Sequence, residues 1–140
     1  MNSSFDILLI DDDPFVRAYL SEAMRLSGYS VLLASGGDVA LALLAQHEFR
    51  AVVTDVLMPS VDGYEVIVHL RKHAPVTRIL AMSAGGRVGE SGALLRAARC
   101  LGAHATLEKP FSSDQFLDAL RGLLSTAPAG SLSFSRLPSS

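Results

Sequence analysis

The sequence predicts an α/β fold: a parallel sheet of five strands with helices packed on both faces. Three observations predict it. Five short apolar runs recur, at Ile7–Ile10, Val31–Ala34, Ala51–Thr54, Ile79–Met82 and Ala105–Leu107. They do not alternate apolar with polar residues, which suits strands covered on both sides. Longer segments of mixed character lie between them, at about 14–27, 37–47, 63–73, 91–101 and 113–124, and read as helices. Strict β–α alternation joins parallel strands through right-handed crossovers. The third observation is size: 140 residues, 49% hydrophobic and 19% charged, supply one core and one domain.

The elements can be justified in order. The first run leads to Asp11, and Asp13-Pro14 has the form of an N-cap followed by proline at the first helical position. Within helix 1, Val16, Leu20, Ala23 and Ser27 follow helical spacing, with Arg17 and Arg25 off that stripe. Gly28 and Gly102 stand where left-handed C-terminal caps of the first and fourth helices belong. The third strand leads to Asp55. Asp62-Gly63 is a turn that starts helix 3, and Pro75 stops that helix. The fourth strand ends in Ser83. Ser112-Ser113-Asp114-Gln115 has the capping-box form, serine three residues before glutamine. These boundaries give a folded unit over residues 5–124. From Ser125 to Ser140 the chain is rich in serine, proline and glycine with one charge, Arg136, which predicts a flexible tail.

Composition excludes several function classes. The balance of 12 basic and 14 acidic residues, net charge −2, is not that of a nucleic-acid or anionic-membrane binder. Cys100 is the only cysteine, so neither an internal disulfide nor a multi-cysteine metal site can form. One thiol and no secretory leader point to a reducing, cytoplasmic compartment. No apolar run approaches the roughly 20 residues of a membrane span.

The strand ends carry the chemistry. Strand 1 ends in Asp11-Asp12-Asp13, strand 3 in Asp55, strand 4 in Ser83 and strand 5 in Glu108-Lys109-Pro110. In a parallel sheet these groups share the carboxyl edge, where ligands of such folds bind. With strands 1 and 3 adjacent, two or three carboxylates converge and repel one another unless a cation lies between them. Oxygen ligands suit Mg²⁺, which usually takes one or two protein carboxylates together with phosphate oxygens. A lysine and a small hydroxyl beside it complete a cradle for a phosphoryl group.

On these residues the chain resembles the receiver domains of two-component response regulators, over roughly residues 5–124. The matching text is Ile7-Leu8-Leu9-Ile10-Asp11-Asp12-Asp13, then Val53-Thr54-Asp55-Val56-Leu57-Met58-Pro59-Ser60-Val61-Asp62-Gly63, then Ala81-Met82-Ser83-Ala84, then Leu107-Glu108-Lys109-Pro110-Phe111. The resemblance implies a doubly wound, flavodoxin-like (βα)5 fold with strand order 2-1-3-4-5, for which this family is itself a standard example. It implies that Asp55 is the phosphoacceptor, a carboxylate nucleophile that becomes an acyl phosphate. Asp12 and Asp55 would ligate Mg²⁺ directly with the backbone carbonyl of Leu57, and Asp11 would hold a metal-bound water. Ser83 would donate to a phosphoryl oxygen. Lys109 would pair with Asp55 and then with the phosphoryl oxygens, and Lys109-Pro110 would be a cis bond that aims the lysine inward.

The implied donor is a sensor histidine kinase or a histidine phosphotransfer protein. The chain would not be an enzyme beyond catalysing its own phosphorylation and dephosphorylation. No helix-turn-helix and no catalytic domain is legible, so the expectation is a stand-alone receiver acting through protein contact around helix 4, strand 5 and helix 5. Arg87, Arg96 and Arg99 are candidate docking cations there, with plain solvation as the alternative. Whether such a protein relays the phosphoryl group or ends the pathway stays open. Two alternatives stand beside this reading: a phosphorylation-independent scaffold with a vestigial site, and a small Mg²⁺-dependent phosphohydrolase using Asp55.

The chain departs from the family pattern at two places. Many receivers carry an aromatic residue three positions before the lysine, whereas Thr106 stands there, so a ring-flip switch is unavailable; His104 is the nearest substitute. The stretch Ala84 to Gly92 after Ser83 holds four glycines. It is expected to be a mobile loop that tightens when Ser83 engages phosphate. Leu57 and Gly85 flank the path of a hydrolytic water and cannot orient it, so a long-lived acyl phosphate is expected. The remaining candidates read as structural. Asp13 and Asp62 are caps. His69 and His73 have i, i+4 spacing but lack the glutamate of an HExxH metal motif. His47 and His104 read as surface or strand-edge residues, and Cys100 as a semi-buried small hydrophobe. Gly36-Gly37 and Gly85-Gly86 form no nucleotide-binding fingerprint.

Overall fold

The computed structural model describes residues 3–58, 61–84 and 90–125. Strands and helices alternate as expected: β1 (Ser3–Ile10), α1 (Pro14–Leu26), β2 (Val31–Ala34), α2 (Gly37–Leu44), β3 (His47–Asp55), α3 (Gly63–His73), β4 (Arg78–Ala84), α4 (Glu90–Leu101), β5 (Ala105–Lys109) and α5 (Ser113–Ser125). The strands pair in parallel in the order β2-β1-β3-β4-β5, the doubly wound order expected. The order reverses between β1 and β3, which opens a crevice beyond their carboxyl ends.

Alternating side chains divide the core into two layers. Leu8, Ile10, Val52, Ile79 and Ala81 pack against Ala40 of α2, Val66, Ile67 and Leu70 of α3, and Leu95 and Ala98 of α4. Ile7, Leu9, Ala51, Val53, Leu80 and Met82 pack against Leu20 and Met24 of α1 and Phe116, Leu120 and Leu123 of α5. Each buried leucine contributes roughly 1.5–3 kcal/mol. The central strands are covered on both sides, and this is why their sequences are continuously apolar. The edge strands depart from that expectation: Leu32 and Leu33 of β2 are only half-buried, and no residue of β5 is fully buried. An open sheet leaves its edge strands with a neighbour on one side only.

The caps lie where local chemistry put them. The Asp13 carboxylate accepts from the Phe15 amide at 2.9 Å and the Asp62 carboxylate from the Glu65 amide at 3.1 Å. Ser112 and Gln115 exchange bonds of 3.0 and 2.8 Å, the capping box in full. Gly28 and Gly102 take φ of +95° and +128°, a region that favours glycine.

Several expectations need correction. Ser27 is the exposed C-cap of α1 rather than part of its inner stripe, where Ser21 and Met24 join Leu20 instead. Helix α2 stops at Leu44, and His47 opens β3 instead of closing the helix. Long-range pairing overrides helix propensity there: Ser3 to Phe5 of β1 register against His47 to Phe49, and Phe5 meets the His47 and Phe49 rings at 5.2 and 6.1 Å. Cys100 is exposed, on the outer side of α4, not semi-buried. Ser125, expected to open the flexible tail of 125–140, closes α5, and Ala84 and Glu90 to Gly92, expected in the glycine-rich loop, belong to β4 and α4; the rest of that tail and loop, Arg87 included, lies outside the described residues. No described helix is long and apolar enough to cross a membrane.

Candidate functional site

The carboxyl edge of the sheet gathers the polar strand ends. Asp11 follows β1 and is fully buried, Asp55 closes β3 and is 8% exposed, and Ser83 lies in β4 at 1% exposed. Lys109 ends β5, and its bond to Pro110 is cis, as expected. Ligand oxygens of Asp11, Asp12 and Asp55 lie within 4.8 Å of one another. Asp12 is exposed at the mouth of this cluster.

Hydrogen bonds fix Asp11, Lys109 and the backbone around Asp55. Asp11 Oδ1 accepts from the Asp13 amide at 2.9 Å, and Asp11 Oδ2 accepts from Lys109 Nζ at 2.9 Å. The Arg17 guanidinium donates to the Asp11 carbonyl at 2.7 Å. Lys109 Nζ also reaches Asp55 Oδ2, at 3.5 Å, so its nearer partner is Asp11 rather than Asp55. The Leu57 backbone amide favours the ionised Asp55 carboxylate. The backbone around Asp55 is held from both sides. The Val56 amide donates to the Met82 carbonyl at 3.0 Å, and the Gly63 amide donates to the Val56 carbonyl at 3.1 Å.

The electrostatics suit a cation-binding site. Burial raises the Asp55 pKa above the usual carboxylate value; Lys109 opposes this, and the neighbouring Asp11 charge adds to it. For Lys109, burial works against the charged form. The hydrogen bond to Asp11 and the charges of Asp55 and Asp11 outweigh that, and its pKa stands above the ordinary lysine value. One lysine thus faces two buried carboxylates and a third at the rim. Ser83 Oγ is buried and, among the described residues, has no hydrogen-bond partner. A buried hydroxyl without a partner costs about 1–3 kcal/mol, and an incoming oxygen acceptor would relieve that cost.

Other sequence expectations fall away from this edge. His104 lies at the opposite end: its Nδ1 accepts from the Ile79 amide at 3.0 Å and its own amide donates to the Ile79 carbonyl at 2.9 Å. Anchored there, it cannot replace the missing aromatic. Thr106 Oγ1 instead accepts from the Arg99 guanidinium of α4 at 3.2 Å. Leu57 is 49% exposed beside the site. Sequence reasoning missed Arg17, Gly63 and the Arg99–Thr106 pair. Gly63 had a local signal, in its position eight residues after Asp55. Arg17 had none, because its role depends on how α1 folds back over β1.

Comparisons with known proteins agree with this fold. The family model for the response regulator receiver domain matches residues 7–121. Response regulator MprA of Mycobacterium sp. (strain KMS) is 42% identical over 118 residues, which cover 84% of this chain and 50% of that protein. MprA of Mycobacterium leprae is 41% identical over the same length and coverage. The chain therefore spans about half the length of these curated relatives. Among solved structures, the receiver domain of NtrX from Brucella abortus superposes with a TM-score of 0.79 at 25% identity, covering 87% of this chain and 100% of that one. The chemotaxis protein CheY4 of Vibrio cholerae gives 0.74 at 26% identity, covering 88% and 99%.

Proposed function

The chain belongs to the response regulator receiver domain family, and on that premise we propose that residues 5–124 accept a phosphoryl group on Asp55 from a histidine kinase or histidine phosphotransfer protein. The observation that carries this reading is the convergence of Asp11, Asp12, Asp55 and Lys109 on one crevice beside the unpartnered Ser83 hydroxyl.

A carboxylate oxygen of Asp55 attacks phosphorus, the P–N bond of the donor phosphohistidine breaks, and the imidazole leaves with the electron pair and takes up a proton. Burial disfavours the ionised, nucleophilic form of Asp55, and the Lys109 charge favours it. As the phosphoryl group arrives, Lys109 Nζ pairs with its oxygens and Ser83 Oγ donates to another. The Val56–Met82 and Gly63–Val56 bonds hold the nucleophile's backbone in place, so the chain contributes mainly by positioning. The donor set of hard oxygens fits Mg²⁺, held by Asp11, Asp12 and Asp55 with the Leu57 carbonyl. When bound, that ion supplies positive charge to the phosphoryl oxygens. An apolar groove adjoins Lys109, formed by Val16, Tyr19, Leu20, Pro110 and Phe111, and Phe15 nearby is 83% exposed. It suits the helix on which a donor histidine would be presented.

The output in this reading is a protein contact in the cytoplasm, governed by a two-state surface around α4, β5 and α5. Phosphorylation with phosphoramidate, followed by borohydride reduction and peptide mapping, tests the assignment. Conversion of position 55 alone to homoserine supports it; modification elsewhere or nowhere refutes it.

A further inference from the structure

A second cluster of ligating side chains lies at the opposite end of the sheet, where α3 ends over the start of β3. His69 and His73 are one helical turn apart, with ring centroids 4.4 Å apart and planes tilted by 36°. His69 is half-buried and His73 exposed. They rim a groove of about 440 Å³ whose other wall includes His47 and Glu48. A neighbouring groove adds Glu65, one turn before His69, and Lys72. Arg71 turns away from this face and packs over Gly102, where an added Cβ would meet the Arg71 Cδ at 2.5 Å.

We propose that His69 and His73 form a two-imidazole site for a borderline divalent cation of the Zn²⁺ type. Imidazoles at i, i+4 present their nitrogens to one ion on the same helix face. Tetrahedral Zn–N bonds of about 2.0–2.1 Å place two ligating nitrogens roughly 3.3 Å apart. The two ring centroids are 4.4 Å apart, so the rings must separate slightly and turn to converge on one ion. His73 is the last residue of α3, at the negative end of the helix dipole, which favours a cation. Glu65 lies one turn before His69, Lys72 opposes the cation, and Arg71 is directed elsewhere. Water completes the coordination. No glutamate lies between the two histidines in His69-Leu70-Arg71-Lys72-His73, so the pair is not the HExxH arrangement of a metallohydrolase.

The two cation sites would differ in chemical class. The carboxylate cluster offers only oxygen and suits Mg²⁺, whereas the histidine pair offers nitrogen and selects against it. The full chain, held in saturating Mg²⁺ so that the carboxylate cluster is filled, is titrated with Zn²⁺. Calorimetry and imidazole NMR provide the readouts. One Zn²⁺ is expected to bind per chain, with the His69 and His73 ring signals shifting together. His69→Gln and His73→Gln are each expected to weaken binding by more than the ~10–100-fold that loss of a supporting group costs. Asp12→Asn is expected to leave it unchanged. Equal affinity in the double histidine variant, with its fold verified by circular dichroism, would overturn the proposal. So would loss of Zn²⁺ binding in Asp12→Asn.

Discussion

Replacing Gly63 by alanine puts one methyl group against the backbone that carries the phosphoacceptor. The added Cβ would lie 2.2 Å from the Asp55 carbonyl oxygen and 2.7 Å from the Val56 Cα, more than 1 Å short of ordinary contact at 3.4 Å for the first. Both neighbours are backbone atoms, so no flexible side chain can yield. The start of α3 and the end of β3 must separate, and the 3.1 Å bond from the Gly63 amide to the Val56 carbonyl stretches or breaks. Overpacking of this kind costs about 1–3 kcal/mol. A shift near 1 Å in a nucleophile's position costs on the order of 10²-fold in rate. Gly122 in α5 provides the control, because nothing lies within 4 Å of a Cβ added there. Gly122→Ala is expected to stabilise by about 0.5–1 kcal/mol through helix propensity, with an unchanged rate. Urea denaturation and the initial rate of phosphorylation by acetyl phosphate measure both effects. A Gly63→Ala protein with parental stability and parental rate would refute the argument.

Three more predictions use the same assays. Ser83→Ala removes the buried hydroxyl that has no partner, so stability is expected to hold or rise by up to about 1 kcal/mol while phosphorylation slows about 10- to 100-fold; a loss of stability would show that the hydroxyl is satisfied in the folded chain. Lys109→Met leaves the Asp11 and Asp55 carboxylates facing each other without a cation and is expected to cost about 3 kcal/mol, part of it recovered by added Mg²⁺; a Mg²⁺-independent loss would contradict this. Asp6 is held below the usual carboxylate range first by the Ser30 amide and also by Arg50, at 2.9 and 3.2 Å. A depressed folded pKa gives stability that is present above the unfolded value near 3.8 and lost as pH falls through the folded value. Asp6→Asn is therefore expected to cost about 1 kcal/mol at pH 7 and nothing once the parent is protonated in acid; a pH-independent gap would rule this out.

What the sequence revealed was what local chemistry decides. The N-cap at Asp13, the capping box at Ser112 and the left-handed glycines depend on neighbours a few residues away, and all are present. The polar residues closing each strand were legible for the same reason, and the parallel sheet brings them together at one edge. Features set by distant contacts were not legible. His47 reads as a helix continuation until β1 supplies its partner strand. The preference of Lys109 for Asp11 over Asp55 spans 98 residues of sequence and rests on a difference of 0.6 Å. Thr106 marked the absence of an aromatic, but only the fold brings Arg99 within hydrogen-bond distance of its hydroxyl. The clash that makes Gly63 obligatory depends on how closely α3 starts beside β3, a distance no periodicity encodes.

The central claim is that Asp55 accepts phosphate within a cation-filled carboxylate site. It is tested most directly by the intact mass of the full chain after incubation with acetyl phosphate, with and without Mg²⁺, beside Asp55→Asn. The account predicts one added phosphoryl group in the parent, only with Mg²⁺, and none in the variant. Equal labelling of parent and variant, or labelling of the parent that ignores Mg²⁺, would contradict it.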